Sequence, residues 1–120
     1  MKYLYLHTWG TDAPARTSTP FQLAAAAALL GHEATIVFTT LGAQLMQKGA
    51  AENLVVAPGM PALRHFIDLA RETDVKFLVC SASLDVTGLK VEDLIPEVDG
   101  FVGGVTVNEM AAEADVVMVF

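Results

Sequence analysis

The sequence predicts an α/β fold: a three-layer α/β/α sandwich, flavodoxin-like in appearance, around a mostly parallel sheet of about five strands. Three observations carry that prediction. Apolar runs of strand length recur at Lys2–His7, Ala34–Thr39, Lys76–Cys80 and Asp115–Phe120, with a weaker one at Asn53–Ala57, and segments able to form helices separate them. The runs are apolar throughout instead of alternating, the pattern of strands covered on both faces. The intervening segments carry helix start and stop signals.

The first of these signals is Thr19-Pro20-Phe21-Gln22, which offers an N-cap threonine, a proline at the first helical position and a capping-box glutamine. Gly31 closes the segment, so a helix is expected over Pro20–Leu30. A second, Gly42–Lys48, should end before Gly49, and a third should start near Pro61 after the Pro58-Gly59 turn and run to about Thr73. Thr106-Val107-Asn108-Glu109 repeats the capping-box pattern and predicts a last helix over Val107–Glu113, leading into the final strand.

Composition bounds what such a fold can do. The chain has 120 residues, 53% of them hydrophobic and 18% charged, enough apolar surface for one domain spanning 1–120. Its longest apolar run, Phe21–Leu30, is too short to cross a bilayer as a helix. The apolar start of the chain is followed by His7, Trp9 and Asp12 without a small-residue cleavage site, so it is read as a first strand and not as a signal peptide. A net charge of −7 with scattered Lys and Arg argues against nucleic acid as a partner. A single cysteine excludes an internal disulfide and a thiolate-rich zinc site, and it suits a reducing compartment, the cytoplasm by default. With three dispersed histidines as the other soft ligands, no spacing matches a zinc or iron site, and no metal is expected. A mean hydropathy of +0.47 is high for a short soluble chain and predicts a homo-oligomer that covers part of its surface.

In a parallel α/β sheet, reactive groups gather outside the carboxyl ends of the strands. Those ends are His7-Thr8-Trp9-Gly10-Thr11-Asp12, Thr39-Thr40-Leu41-Gly42, Cys80-Ser81-Ala82-Ser83 and the terminal Phe120. Cys80 ends one strand and precedes Ser81-Ala82-Ser83-Leu84-Asp85-Val86, a stretch able to begin a short helix capped by Ser81 or Ser83. Unpaired helix N–H groups would stabilise a thiolate there. A free cysteine is also a common buried hydrophobe, so position alone leaves the two readings even. His7, one strand away, is expected to be a structural hydrogen-bond partner first and an activator of the thiol only in a minor way. His32 and His65 are expected at the surface, and Asp12 and Asp85, although near the thiol, suit turn or cap roles. The hydroxyl-rich loop Asp12–Thr19 has some likeness to a flavin or phosphate cradle, yet the chain lacks both Gly-x-x-x-x-Gly-Lys and Gly-x-Gly-x-x-Gly. No cofactor is expected.

Several stretches together resemble the DsrE/DsrF/DsrH-like, TusD-related family of sulfur-relay proteins. They are the opening strand with Gly10-Thr11-Asp12, the alanine-rich helix ending Leu30-Gly31-His32-Glu33-Ala34, and Val102-Gly103-Gly104-Val105 with Ala112-Glu113-Ala114-Asp115. The stretch from Cys80 to Gly88 adds the pattern Cys-x-x-Ser-x-Asp-x-x-Gly of one branch of that family. The resemblance implies a YchN-like sandwich, assembly as a homotrimer or homohexamer, and cytoplasmic sulfur relay through a persulfide or thiosulfonate on Cys80. Ser81, Ser83, Asp85, His7 and Thr39, at the strand exits around Cys80, are the expected substrate-binding surroundings, and TusA-like or rhodanese-like carriers are the expected partners. Two other functions stay open: a flavodoxin-type small-molecule or nucleotide-binding module using the Thr8–Thr19 loop, and a structural subunit whose partner supplies the chemistry.

Overall fold

The apolar runs form one five-stranded sheet in the computed structural model, which describes residues 1–120. The strands are β1 (Lys2–His7), β2 (Glu33–Phe38), β3 (Lys76–Cys80), β4 (Gly100–Val102) and β5 (Val116–Val119). Their order is β4-β3-β2-β1-β5, and every neighbouring pair is parallel. Four helices connect them: α1 (Thr19–Leu29), α2 (Leu63–Glu72), α3 (Ser81–Thr87) and α4 (Gly104–Glu113). The chain steps from β1 to β4 in one direction and then returns across the whole sheet to set β5 outside β1. Right-handed crossovers therefore place α1, α2 and α3 on one face and α4 alone on the other. The α/β sandwich expected from the sequence is the architecture found.

Side-chain alternation divides the core accordingly. Tyr5, Ile36, Phe38, Phe77 and Val79 join Phe21 of α1 and Leu63, Phe66, Ile67 and Ala70 of α2 in the larger core. Leu4, Val37 and Val102 form a smaller cluster under Val107, Met110, Ala111 and Ala114 of α4. The alanines of α1 let it approach the sheet closely; Ala24, Ala25 and Ala27 are buried. Phe21, Phe38 and Phe77 meet pairwise with ring centroids 5.5 to 5.7 Å apart. Near the other sheet edge, Asp99 accepts from the Phe77 amide (2.8 Å) and from Arg71 (2.7 Å), which ties the end of α2 to the start of β4.

Several local expectations are corrected. Asn53–Ala57 is not a strand: Ala51–Asn53 is a 3-10 turn, and Val55 makes only an isolated bridge to Ala62. The fifth strand is β4, whose three residues are too few to show a pattern in sequence. The helix expected at Gly42–Lys48 is a 3-10 helix over Thr40–Met46. It opens on Thr40 at φ 50°, and Gly42 presses against the end of β1, where a Cβ would lie 2.1 Å from the His7 carbonyl oxygen. The cap of α1 is Ser18, making no side-chain bond, so the Thr19 capping box does not form. α4 begins three residues before Val107, capped by Gly103, with Thr106 inside it.

The Gly42 contact yields a prediction. Gly42→Ala must push the loop after β2 off the His7 carbonyl and should cost about 1–3 kcal/mol, the usual penalty of overpacking. Urea unfolding should show a lower midpoint at unchanged slope.

Candidate functional site

Cys80 is both the last residue of β3 and the N-cap of α3. Val79 packs into the larger core, so alternation turns the next side chain to the α4 face, beside Val102, its partner in register. The thiol is half-buried. Because α3 starts at once, its first amides lack intrahelical acceptors beside the cysteine. One residue beyond Val102, Gly103 caps α4, whose first turn holds no acidic residue and no side-chain cap. A Cβ on Gly103 or Gly104 would meet nothing within 4 Å, so the Cα side of both residues faces open space. Neighbouring strands lie about 4.8 Å apart. Two helix amino ends thus flank the thiol, each the positive end of its helix dipole.

Thr39 stands on the other side. Phe38 pairs with Val79, so the next step along both strands sets Thr39 next to Cys80, on the same face and half-buried. Ser81 is exposed at the first position of α3, and Asp85 is exposed one turn later. Ser83 is 1% exposed with no partner for its hydroxyl; it is the buried residue of α3, on the side that packs against Thr40–Met46, and not the side of the thiol.

His7 is a correction as an activator. It lies on the opposite face of the sheet from Cys80, with β2 between the two strands. Its ring is fully buried, 5.8 Å from both Phe21 and Phe38. Nε2 is 2.9 Å from the Thr17 carbonyl oxygen, an acceptor only, so Nε2 carries the hydrogen and donates. Nδ1 is buried without a partner. Burial pulls the pKa of the ring below its usual value, and the bond to Thr17 offsets only part of that. His7 is a neutral clasp holding the loop after β1.

Three threonine hydroxyls of that loop are engaged. Thr8 Oγ1 donates to the Phe120 carbonyl (2.6 Å), Thr11 Oγ1 to Gln44 (3.2 Å) and Thr17 Oγ1 to the Pro14 carbonyl (2.7 Å). The largest groove, about 500 Å³, is at the other end of the strands, lined among others by Lys2, Tyr3, His32 and Lys76. It does not include Cys80. Gly103 and Gly104, already part of the stretch that resembles the family, were not read as the start of α4, because the capping box at Thr106 pointed past them.

Fold and site define a small doubly wound α/β domain that presents one thiol at a strand exit. The chain belongs to the DsrE/DsrF-like family, whose sequence profile matches residues 1–120. Its fold is that of the YchN protein of E. coli, with a TM-score of 0.80 at 15% identity over 100% of this chain and 99% of that one. MTH1491 of Methanobacterium thermoautotrophicum, described as a protein of unknown function, is similar over 98% of this chain and 97% of its own, with a TM-score of 0.66 at 12% identity. No curated protein matches the sequence. No helix is long and apolar enough to cross a membrane.

The His7 environment sets a pH dependence. The unfolded chain takes up a proton at this ring below about pH 6.5, whereas the folded ring resists it, so the unfolded state binds more protons in that window. Stability from this group is complete above about pH 6.5 and declines as pH falls through the lowered folded value. Unfolding free energies measured from pH 7 down to pH 5 should fall in the wild type and fall less steeply in His7→Phe.

Proposed function

We propose that this protein is a sulfur-relay carrier that accepts sulfane sulfur on Cys80 and passes it on, within the cytoplasm. The observation that carries the reading is the half-buried Cys80 at a strand exit between the amino ends of α3 and α4. Membership of the DsrE/DsrF-like family, a sulfur-relay family in general, supports it.

The chemistry balances without a redox partner. The Cys80 thiolate attacks the outer sulfur of a donor persulfide; a new S–S bond forms while the old one breaks, and its electron pair leaves on the donor thiolate. The hydrogen of the outer sulfur travels with it. An acceptor thiolate then attacks that sulfur and releases the Cys80 thiolate. A thiosulfonate-type donor reacts in the same way with a different leaving group. Thr39 contributes a hydroxyl beside it, while Ser81 and Asp85 sit where a docking carrier of TusA-like or rhodanese-like type would touch. The protein works as a homo-oligomer, trimer or hexamer, consistent with its apolar surface. The flavodoxin-type alternative has less support, since the hydroxyls of Thr8, Thr11 and Thr17 are all bonded within the protein.

Incubation with polysulfide followed by intact mass measurement tests the reading. The wild type should gain one sulfur atom that a reductant removes, and Cys80→Ser should gain none. An unmodified wild type, or an adduct that persists in Cys80→Ser, refutes it.

A further inference from the structure

The groove at the amino ends of the strands lies apart from Cys80. Lys76 is on the same face of β3 as the thiol but four residues earlier, about 13 Å away at the usual rise per residue. The groove's volume of about 500 Å³ falls within the roughly 300–1,000 Å³ usual for small-molecule sites. Strand alternation builds its floor. Leu4 and Val37 face α4, so Lys2 of β1 and Glu33 and Thr35 of β2 share that face, and Lys76, next to the core-facing Phe77, joins them. Met110, Glu113 and Ala114 at the end of α4 form a wall above. At the amino edge of the sheet the groove turns past Tyr3 and His32, whose rings stack with centroids 5.1 Å apart.

The charges of this groove are not used by the fold. All four ion pairs of the chain are made by Arg64 and Arg71, which leaves Lys2, Lys76, Glu33, Asp74 and Glu113 of the groove without an ion-pair partner. Lys76 acts on Asp99 only at longer range, because that carboxylate is already held by Arg71 and the Phe77 amide. Lys2 and Glu33 are register partners, with backbones about 4.8 Å apart, and still do not bridge. Lys76 is the register partner of Thr35, two residues further along β2.

We propose that this groove binds a free α-amino acid with an apolar side chain. Charge selects the class. Two ammonium groups and three carboxylates line the groove, so a simple anion meets an excess of like charge and a simple cation leaves Lys2 and Lys76 unanswered. A zwitterion answers both. An α-amino acid carries its two charges on one carbon, matching the closeness of Lys2 and Glu33, whereas a peptide holds its terminal charges far apart. The carboxylate lies between Lys2 and Lys76 above Thr35, and the ammonium meets Glu33 and Glu113. Met110 and Ala114 on one side and the stacked rings of Tyr3 and His32 on the other supply apolar surface for the side chain.

Isothermal titration of the full chain with L-phenylalanine and with L-leucine should give saturable binding at one site. N-Acetyl-phenylalanine, which lacks the ammonium, and phenethylamine, which lacks the carboxylate, should each bind at least about tenfold more weakly than L-phenylalanine. The double variant Lys2→Gln with Lys76→Gln should lose affinity for L-phenylalanine by about the same factor at an unchanged far-UV spectrum, whereas Cys80→Ser should keep it. No saturable binding of either amino acid, equal binding of the two one-charge analogues, or an unchanged affinity in the lysine variant overturns the proposal. If the lysine variant unfolds, the comparison of analogues decides alone. Sulfur loading of Cys80 is read by mass in a separate assay, so failure of this site and failure of the carrier reading are distinguishable.

Discussion

The packing of His7, Phe21, Phe38 and Phe77 against one another is the interaction on which the rest of the structure depends. These rings come from β1, α1, β2 and β3, and they set the relative heights of the three central strands. Burying aromatic side chains is among the largest single contributions to a core, and truncating one typically costs about 3–5 kcal/mol. A shift of one residue in β3 would turn Phe77 and Val79 to the wrong face and Cys80 into the aromatic cluster. The thiol faces α4 because its neighbour in sequence is needed in the core. The position of the thiol follows from packing on the opposite side of the sheet.

His7 shows why a polar residue can sit in that cluster. Its Nε2–H is satisfied by the Thr17 carbonyl, which pulls the loop after β1 down over the aromatic rings. Thr39 donates its amide to the His7 carbonyl (3.1 Å), and Gly42 lies against the same oxygen. One residue therefore fixes the exits of β1 and β2 together, through its ring on one side and its backbone on the other. Its unpartnered Nδ1 marks the cost of the arrangement, since a second proton there would have no acceptor.

Much of the fold was legible because long buried strands leave unmistakable apolar runs; β1 and β3 have the predicted ends. β4 was not, because Gly100-Phe101-Val102 gains its strand character from pairing with Leu78, Val79 and Cys80, a long-range contact with no local trace. The weak run at Asn53–Ala57 has the residues of a strand but no place in the sheet, since β3 already occupies the position beside β2. The candidate site was legible to the level of Cys80, whose strand-end position left two readings even until the pattern from Cys80 to Gly88 was set beside it. Its surroundings were only partly so: Thr39 joins the thiol by register, whereas Ser83 and His7 are drawn into packing by neighbours distant in sequence. Gly103-Gly104 were not read as a helix start because that helix follows a strand the sequence hides.

Topology explains why the thiol side of the sheet is the open one. Three crossovers in the same direction load α1, α2 and α3 onto one face, leaving α4 to cover the other alone. Five strands span about 19 Å at the usual spacing, and one helix is about 10 Å across. α4 starts above β4 and descends toward β5, so it covers Leu4, Val37 and Val102 and leaves the carboxyl ends of β1 and β5 bare. The same return crossing that makes β5 an unguarded edge also leaves its α4-side valines uncovered. A half-buried thiol on the thinly covered face and an apolar edge strand paired on one side only are thus two consequences of one chain reversal after β4.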